Sequence, residues 1–173
     1  MIRWLTKFEA DLMHNIIIDT NPLVYIYNGV PKFGQAYVEL LGDLAAKYNL
    51  VIPKIVYAEL SLIFLNSKQL NNFLSDTGII IGDIEKEAYL LAAKRWDKYN
   101  KRRVLICQGC GKKLEKLTCR ECGAKIKIRQ HILTDFIIGA YALQTEGQKI
   151  VTSDKGYYSA YFPELTIIST DFD

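Results

Sequence analysis

The fold turns on residues 15–23, Asn15-Ile16-Ile17-Ile18-Asp19-Thr20-Asn21-Pro22-Leu23. Three consecutive β-branched residues without alternation read as a short strand buried on both faces. An acid follows at once. Asn21 ahead of Pro22 then reads as a helix N-cap with proline at the first helical position. The same grammar recurs outward from this stretch. Leu50 to Ile52 is a second short strand, and Pro53 opens a helix expected to run to Asn66. Gly78 to Ile81, Lys149 to Thr152 and Leu165 to Ile168 are further strand candidates. Between them, Gln35 to Tyr48 predicts a helix with Tyr37, Leu40, Leu41 and Leu44 on one face. Lys68 to Ser75 predicts another. Glu85 to Lys101 predicts a long one, with Ala88, Leu91, Ala92 and Trp96 inward. Ile132 to Thr145 is an apolar helix, and a short helix is expected between the last two strands. Strands alternating with helices imply a three-layer α/β/α domain with a mostly parallel sheet.

Val104 to Arg129 breaks this rhythm, being rich in Gly, Cys and Lys. The expected organisation is an N-terminal extension over 1–14, an α/β domain built from 15–103 and 130–173, and an inserted unit over 104–129. The chain has 173 residues, half of them apolar and 24% charged, which excludes wholesale disorder. No apolar run reaches the roughly 18 residues of a membrane-spanning helix. Met1 to His14 lacks a signal-peptide core, so a cytoplasmic location with no membrane association is expected, and its four cysteines are not expected to form disulfides.

Charge is distributed unevenly. Lys98 to Arg129 holds eleven Lys and Arg against two Glu, a net of +9, which leaves −6 on the rest of the chain. A basic patch on an acidic body suits a polyanion partner.

Ligands of open α/β sheets sit beyond the carboxyl ends of the strands. Two strands end there on an acid, Asp19 and Asp154. Each also has a bland reading as a helix cap, and for Asp19 that reading is weaker because Asn21 is the better cap. Glu59 falls on the apolar face of the Pro53 helix with Ile55, Val56, Leu62 and Ile63, where a charge is costly unless paired, protonated or metal-bound. Asp135 lies among Ile132, Leu133, Phe136, Ile137 and Ile138, where it also suits the helix dipole. Converging carboxylates repel one another unless a cation lies among them, and hard oxygen ligands suit Mg²⁺ or Mn²⁺.

Asp19-Thr20-Asn21-Pro22-Leu23, then Glu59, then Asp135 with Ile138, Ala140 and Ala142, then Thr152-Ser153-Asp154 resembles the pattern of the PIN-domain nucleases. The resemblance covers Asn15 to Arg103 and Gln130 to Asp173. It implies an α/β/α fold, metal-dependent hydrolysis of RNA phosphodiesters, and Asp19, Glu59, Asp135 and Asp154 as the acids that hold Mg²⁺ or Mn²⁺. Thr20, Asn21 and Thr152 match nearby polar positions that would steady the acids or metal-bound waters. It implies an endoribonuclease, either a VapC-like toxin held by a protein antitoxin or an RNA-processing enzyme of the rRNA-maturation kind with a ribosome-assembly partner.

Cys107-Gln108-Gly109-Cys110 and Cys119-Arg120-Glu121-Cys122 account for every cysteine. Two C-x2-C pairs read as a structural four-thiolate Zn²⁺ site, with iron as the alternative. Gly111 and Gly123 follow the pairs and permit tight turns. Such a ribbon would grip RNA through Arg102, Arg103, Lys112, Lys113, Lys116, Arg120, Lys125, Lys127 and Arg129. Among other features, Tyr157, Tyr158 and Tyr161 follow Asp154, where one could stack on a base. Trp4, Leu5, Phe8 and Leu12 recur at helical spacing, either docking on the core or forming an arm for a homodimer or another partner. The reading from a different class is a non-catalytic RNA-binding or assembly module.

Overall fold

A computed structural model of the chain describes residues 13–102, 107, 109–113, 121–123 and 132–170. Strand β1, Asn15–Ile18, lies at the centre of the sheet, with Ile16, Ile17 and Ile18 fully buried. Its neighbours are β2, Asn49–Pro53, and β4, Lys149–Val151; β3, Ile80–Gly82, and β5, Thr166–Ile168, form the edges. The order is β3-β2-β1-β4-β5, and every ladder is parallel. Ile17 stands opposite Val51 on one side and Ile150 on the other, so apolar runs face apolar runs across the sheet.

The helices are α1, Thr20–Tyr27; α2, Phe33–Ala45; α3, Lys54–Ser61; α4, Ser67–Thr77; α5, Lys86–Arg102; α6, Leu133–Gln144; and α7, Lys155–Tyr161. The chain steps from β1 through β2 to β3 in one direction, then crosses to β4 and β5 in the other. Right-handed crossovers then put α1 to α4 over one face and α5 to α7 over the other. The direction changes between β1 and β4, so the crevice of the sheet opens beyond the carboxyl ends of these two strands.

The expected apolar faces are the ones packed. Tyr37, Leu41 and Leu44 of α2 are buried, as are Ala88, Ala92 and Tyr99 of α5. Two local expectations change. The cap of α1 is Asp19, whose carboxylate accepts from the Thr20 amide at 2.8 Å, so helix begins two residues earlier than the Asn21-Pro22 pair suggests. Proline is tolerated there because the first-turn amides have no partner inside the helix in any case. The Pro53 helix also stops at Ser61, well short of Asn66. The break turns Phe64 into the core against the Tyr27 ring, centroids 3.7 Å apart, and leaves Leu62 exposed. Asn66 then caps α4 by accepting from the Gln69 amide at 3.0 Å, and Gly78 closes that helix in the left-handed conformation at φ +67°.

A fork of charged hydrogen bonds ties α5 to the segment after α7. Arg95 donates to the Tyr161 carbonyl at 2.6 Å and to both carboxylate oxygens of Glu164, at 3.1 and 2.6 Å. Its guanidinium also lies over the Phe162 ring, 4.7 Å from the centroid. The ion pair holds the Glu164 carboxyl below its usual pKa. Arg95→Ala is expected to cost about 1–2 kcal/mol in a urea melt, because it orphans a carbonyl and a carboxylate at once. Arg95→Lys should recover less than half of that, since lysine cannot make the fork; full recovery would show that charge alone matters.

The helical spacing of Trp4, Leu5, Phe8 and Leu12 falls outside the described residues. No helix among the described residues is long and apolar enough to cross a membrane.

Candidate active site

Asp19 sits where β1 becomes α1, buried with 8% of its surface exposed. Its backbone amide completes the β1–β4 ladder by donating to the Val151 carbonyl at 2.9 Å. One carboxylate oxygen accepts from the Thr20 amide, and the other accepts from the Thr152 hydroxyl at 2.7 Å. Thr152, fully buried at the end of β4, also accepts from the Asp154 amide at 3.0 Å. One threonine hydroxyl thus links the acid ends of the two central strands.

The other acids reach the same place from helices. The Thr20 hydroxyl donates to the Glu59 carboxylate, joining the first turn of α1 to α3. Asp135, at the third residue of α6, accepts from the Ile132 amide at 2.8 Å. Asp154 caps α7 by accepting from the Tyr157 amide at 3.2 Å. For Asp19 and Asp154, capping and convergence are therefore not alternatives: the hydrogen bond that caps the helix also holds the acid in place. Asn21 is exposed on the first turn of α1.

Burial pushes the Asp19 carboxyl up to about 7, partly opposed by the Thr152 and Thr20 hydrogen bonds and reinforced by the charges of Asp135 and Glu59. Beneath the acids lie Tyr157 and Tyr158, each 1% exposed, whose hydroxyls burial and the fields of Asp19, Asp135 and Asp154 push far above the usual range. This corrects the expectation of base stacking for these two. Their rings form the floor of the site, with Phe136 edge-on to Tyr157 at 5.4 Å. The missed signal was their position on the inner side of a seven-residue helix, which is too short to show periodicity.

An all-oxygen donor set that leaves a buried acid repelled by its neighbours fits a divalent cation. Each carboxylate nevertheless rests on a chain donor, and among the described residues no group of three His, Cys, Asp or Glu stands arranged to hold a metal ion. The same holds for the expected four-cysteine site. Cys107, Cys110 and Cys122 are free thiols, while Cys119 lies outside the described residues. Arg103, Lys116, Arg120, Lys125, Lys127 and Arg129 lie outside them too. The first cysteine pair does form a closed turn: the Cys107 amide donates to the Lys112 carbonyl and the Gly111 amide to the Cys107 carbonyl, both at 2.8 Å. The Cys107 thiol is held below its usual pKa, chiefly by the Cys110 amide, then by the Cys110 side chain and the Gly109 amide.

The PIN domain family model matches residues 16–163, and the chain belongs to that family. PIN domains are generally metal-dependent nucleases. A chain in the crystal structure of VapBC2 from Rickettsia felis, bound to a DNA fragment from their promoter, has the same fold. The match has a TM-score of 0.59 at 20% identity and covers 90% of this chain and 98% of that one. No curated protein matches the sequence.

Proposed function

We propose that this chain is a divalent-metal-dependent endoribonuclease. The observation that carries the reading is the acid network of Asp19, Glu59, Asp135 and Asp154, drawn from four elements to the one place where the strand order reverses. These acids would hold Mg²⁺ or Mn²⁺, which supplies Lewis-acid stabilisation of the phosphoryl oxygens and a water acidic enough to attack phosphorus in line. The chain's own part is orientation. Thr152 fixes Asp19 and the Asp154 backbone together, and Thr20 fixes Glu59. Tyr157 and Tyr158 keep water out from below, which strengthens electrostatic interactions above them. Asn21, exposed beside Thr20, is assigned to steadying a water or the substrate. The test is cleavage of a structured-RNA pool with Mn²⁺ or Mg²⁺ by wild type and Asp19→Asn.

The segment 104–129 is proposed as a zinc ribbon inserted between 15–103 and 130–173, with Cys107, Cys110, Cys119 and Cys122 as ligands. Support comes from the paired spacing and from matched backbone: Gly111 and Gly123, each following a C-x2-C pair, both take positive φ, +72° and +69°. Arg102, Arg103, Lys112, Lys113, Lys116, Arg120, Lys125, Lys127 and Arg129 give it its RNA-binding charge. Replacing Cys107 and Cys110 by Ser is expected to release one equivalent of zinc by elemental analysis and to weaken RNA binding about tenfold, leaving the far-ultraviolet dichroism of the α/β core. Loss of the whole fold would make the ribbon a structural brace instead, and iron in the wild type would reassign the metal.

Such an enzyme would act in the cytoplasm. Its role in RNA processing is favoured by the basic ribbon, which adds substrate selection. A toxin held by a protein antitoxin is the second reading, favoured by the fold shared with a VapBC2 chain. Growth arrest on expression, relieved by Asp19→Asn, would select the toxin.

A further inference from the structure

The first cysteine turn does not stand apart from the α/β domain. A Cβ placed on Gly111 would lie 3.1 Å from the Gly156 carbonyl oxygen and 3.6 Å from the Gly156 Cα. Gly156 is buried in the first turn of α7, two residues after Asp154. The contact is backbone on backbone, between two glycines, and a side chain at Gly111 would press on it, asking the Gly156 carbonyl to give by a few tenths of an ångström. Chain geometry limits the separation that follows. Asp154 and Gly156 can be no more than about 7 Å apart between Cα atoms, so the Gly111 backbone lies within roughly 12 Å of the Asp154 backbone. The turn is stiff on its own account, closed by the hydrogen bonds of Cys107 with Lys112 and Gly111 described above. Directly after its glycine come Lys112 and Lys113, both exposed.

We infer that the Cys107–Lys112 turn, seated on the first turn of α7 through the Gly111–Gly156 contact, presents Lys112 and Lys113 at the rim of the acid site, where they hold the backbone phosphates of a single RNA strand next to the bond being cut. This rests on the proposed ribonuclease reading and adds to it which of the many basic residues act at the site. The distances suit the task. A lysine side chain reaches about 6 Å, close to the spacing of successive phosphates in an extended strand, so lysines that follow Gly111 can meet phosphates within a few nucleotides of the acids. Charge favours it as well: a strand entering a pocket of four carboxylates is repelled, and two cations at the rim offset that repulsion. Because the lysines touch phosphates away from the reacting bond, their effect belongs to binding and not to the chemical step.

The test uses the full-length protein, a fluorescent single-stranded RNA and Mn²⁺. Lys112→Gln with Lys113→Gln is expected to raise KM about five- to tenfold with kcat unchanged, and to lower the slope of log Kd against log salt by about 1 to 2. Lys47→Gln with Lys94→Gln removes the same charge from exposed lysines, one of them just before β2 at the opposite end of the sheet, and should change neither quantity. The seat itself is tested by a matched pair. Gly111→Ala and Gly123→Ala introduce the same backbone strain, but among the described residues nothing lies within 4 Å of the added methyl at Gly123. Gly111→Ala should therefore raise KM with both lysines intact, by less than the double lysine variant does, whereas Gly123→Ala should not. Unchanged KM and salt slope in the double lysine variant would overturn the inference, as would equal behaviour of the two glycine variants. If wild type fails to cut but binds RNA with a salt slope that depends on Lys112 and Lys113, the phosphate-holding role of the two lysines stands, while the nuclease reading falls and takes with it their place beside a bond being cut.

Discussion

Asp19→Asn is expected to lower Mn²⁺-dependent RNA cleavage by at least about a thousandfold, equivalent to some 4 kcal/mol of transition-state stabilisation, while making the metal-free protein more stable at neutral pH. Both effects come from one buried carboxylate. As an acid it is the central member of the cluster, held by Thr152 and Thr20 and facing the charges of Asp135 and Glu59. As a buried charge without a cation it opposes folding. Its folded pKa is raised to about 7 from 3.8, so the native state retains a proton that the unfolded chain releases. Stability is therefore unaffected well below pH 4, falls as pH rises from about 4 to 7, and is flat above. The whole interval is worth up to about 4 kcal/mol, or a difference in Tm on the order of 10 °C. The asparagine variant lacks this term and still accepts from the Thr20 amide. Its advantage in thermal melts without added Mg²⁺ or Mn²⁺ should grow from pH 4 to 7 and then level off. Added Mn²⁺ should raise the Tm of wild type much more than that of the variant. Parallel curves over that range would show that burying this charge costs nothing, and undiminished cleavage would remove Asp19 from the site.

Phe136→Ala should be the most damaging substitution outside the acids, at about 3–5 kcal/mol in urea unfolding. Phe136 is fully buried, and its ring centroid lies between 5.4 and 5.9 Å from those of Tyr99, Tyr157, Tyr161 and Phe162. It thus joins α5, α6 and α7 beneath the site, and truncation would leave a void that these rigid rings are poorly shaped to fill. Leu62→Ala, at a residue 87% exposed, should stay within about 0.5 kcal/mol of wild type. A cost at Phe136 below 1 kcal/mol would mean that the aromatic cluster relaxes freely and is no support for Asp135 and Asp154.

Patterns of one period were legible in the sequence, and contacts between elements were not. Ile16 to Ile18, Leu50 to Ile52 and the faces of α2 and α5 could be read because each repeats a burial pattern along the chain. The end of α3 could not, because Leu62 and Ile63 continue the helical spacing, and the break arises from the distant demand of Tyr27 for Phe64. Asn21-Pro22 is a good local start signal, but the strand delivers Asp19 to the cap first. For the site, charge in apolar surroundings marked Glu59 and Asp135, and strand ends marked Asp19 and Asp154. Nothing local says that Thr20 answers Glu59, 39 residues on, or that Thr152 answers Asp19, 133 residues back. The Arg95 fork and the Gly111–Gly156 approach are equally non-local and equally silent in the sequence.

The pairing of β1 with β4 also sets a schedule. Asp19 leaves a ribosome more than 130 residues ahead of Thr152 and Asp154, and the segment that brings them must cross the sheet to reach β1. Long-range parallel pairing of this kind is slow and comes late in folding. A nascent chain halted before Lys149 has no partner for the free side of β1 and only part of the acid network. The cutting activity proposed for this protein would therefore stay latent until β4 has been made and has docked on β1, which spares the message still being read.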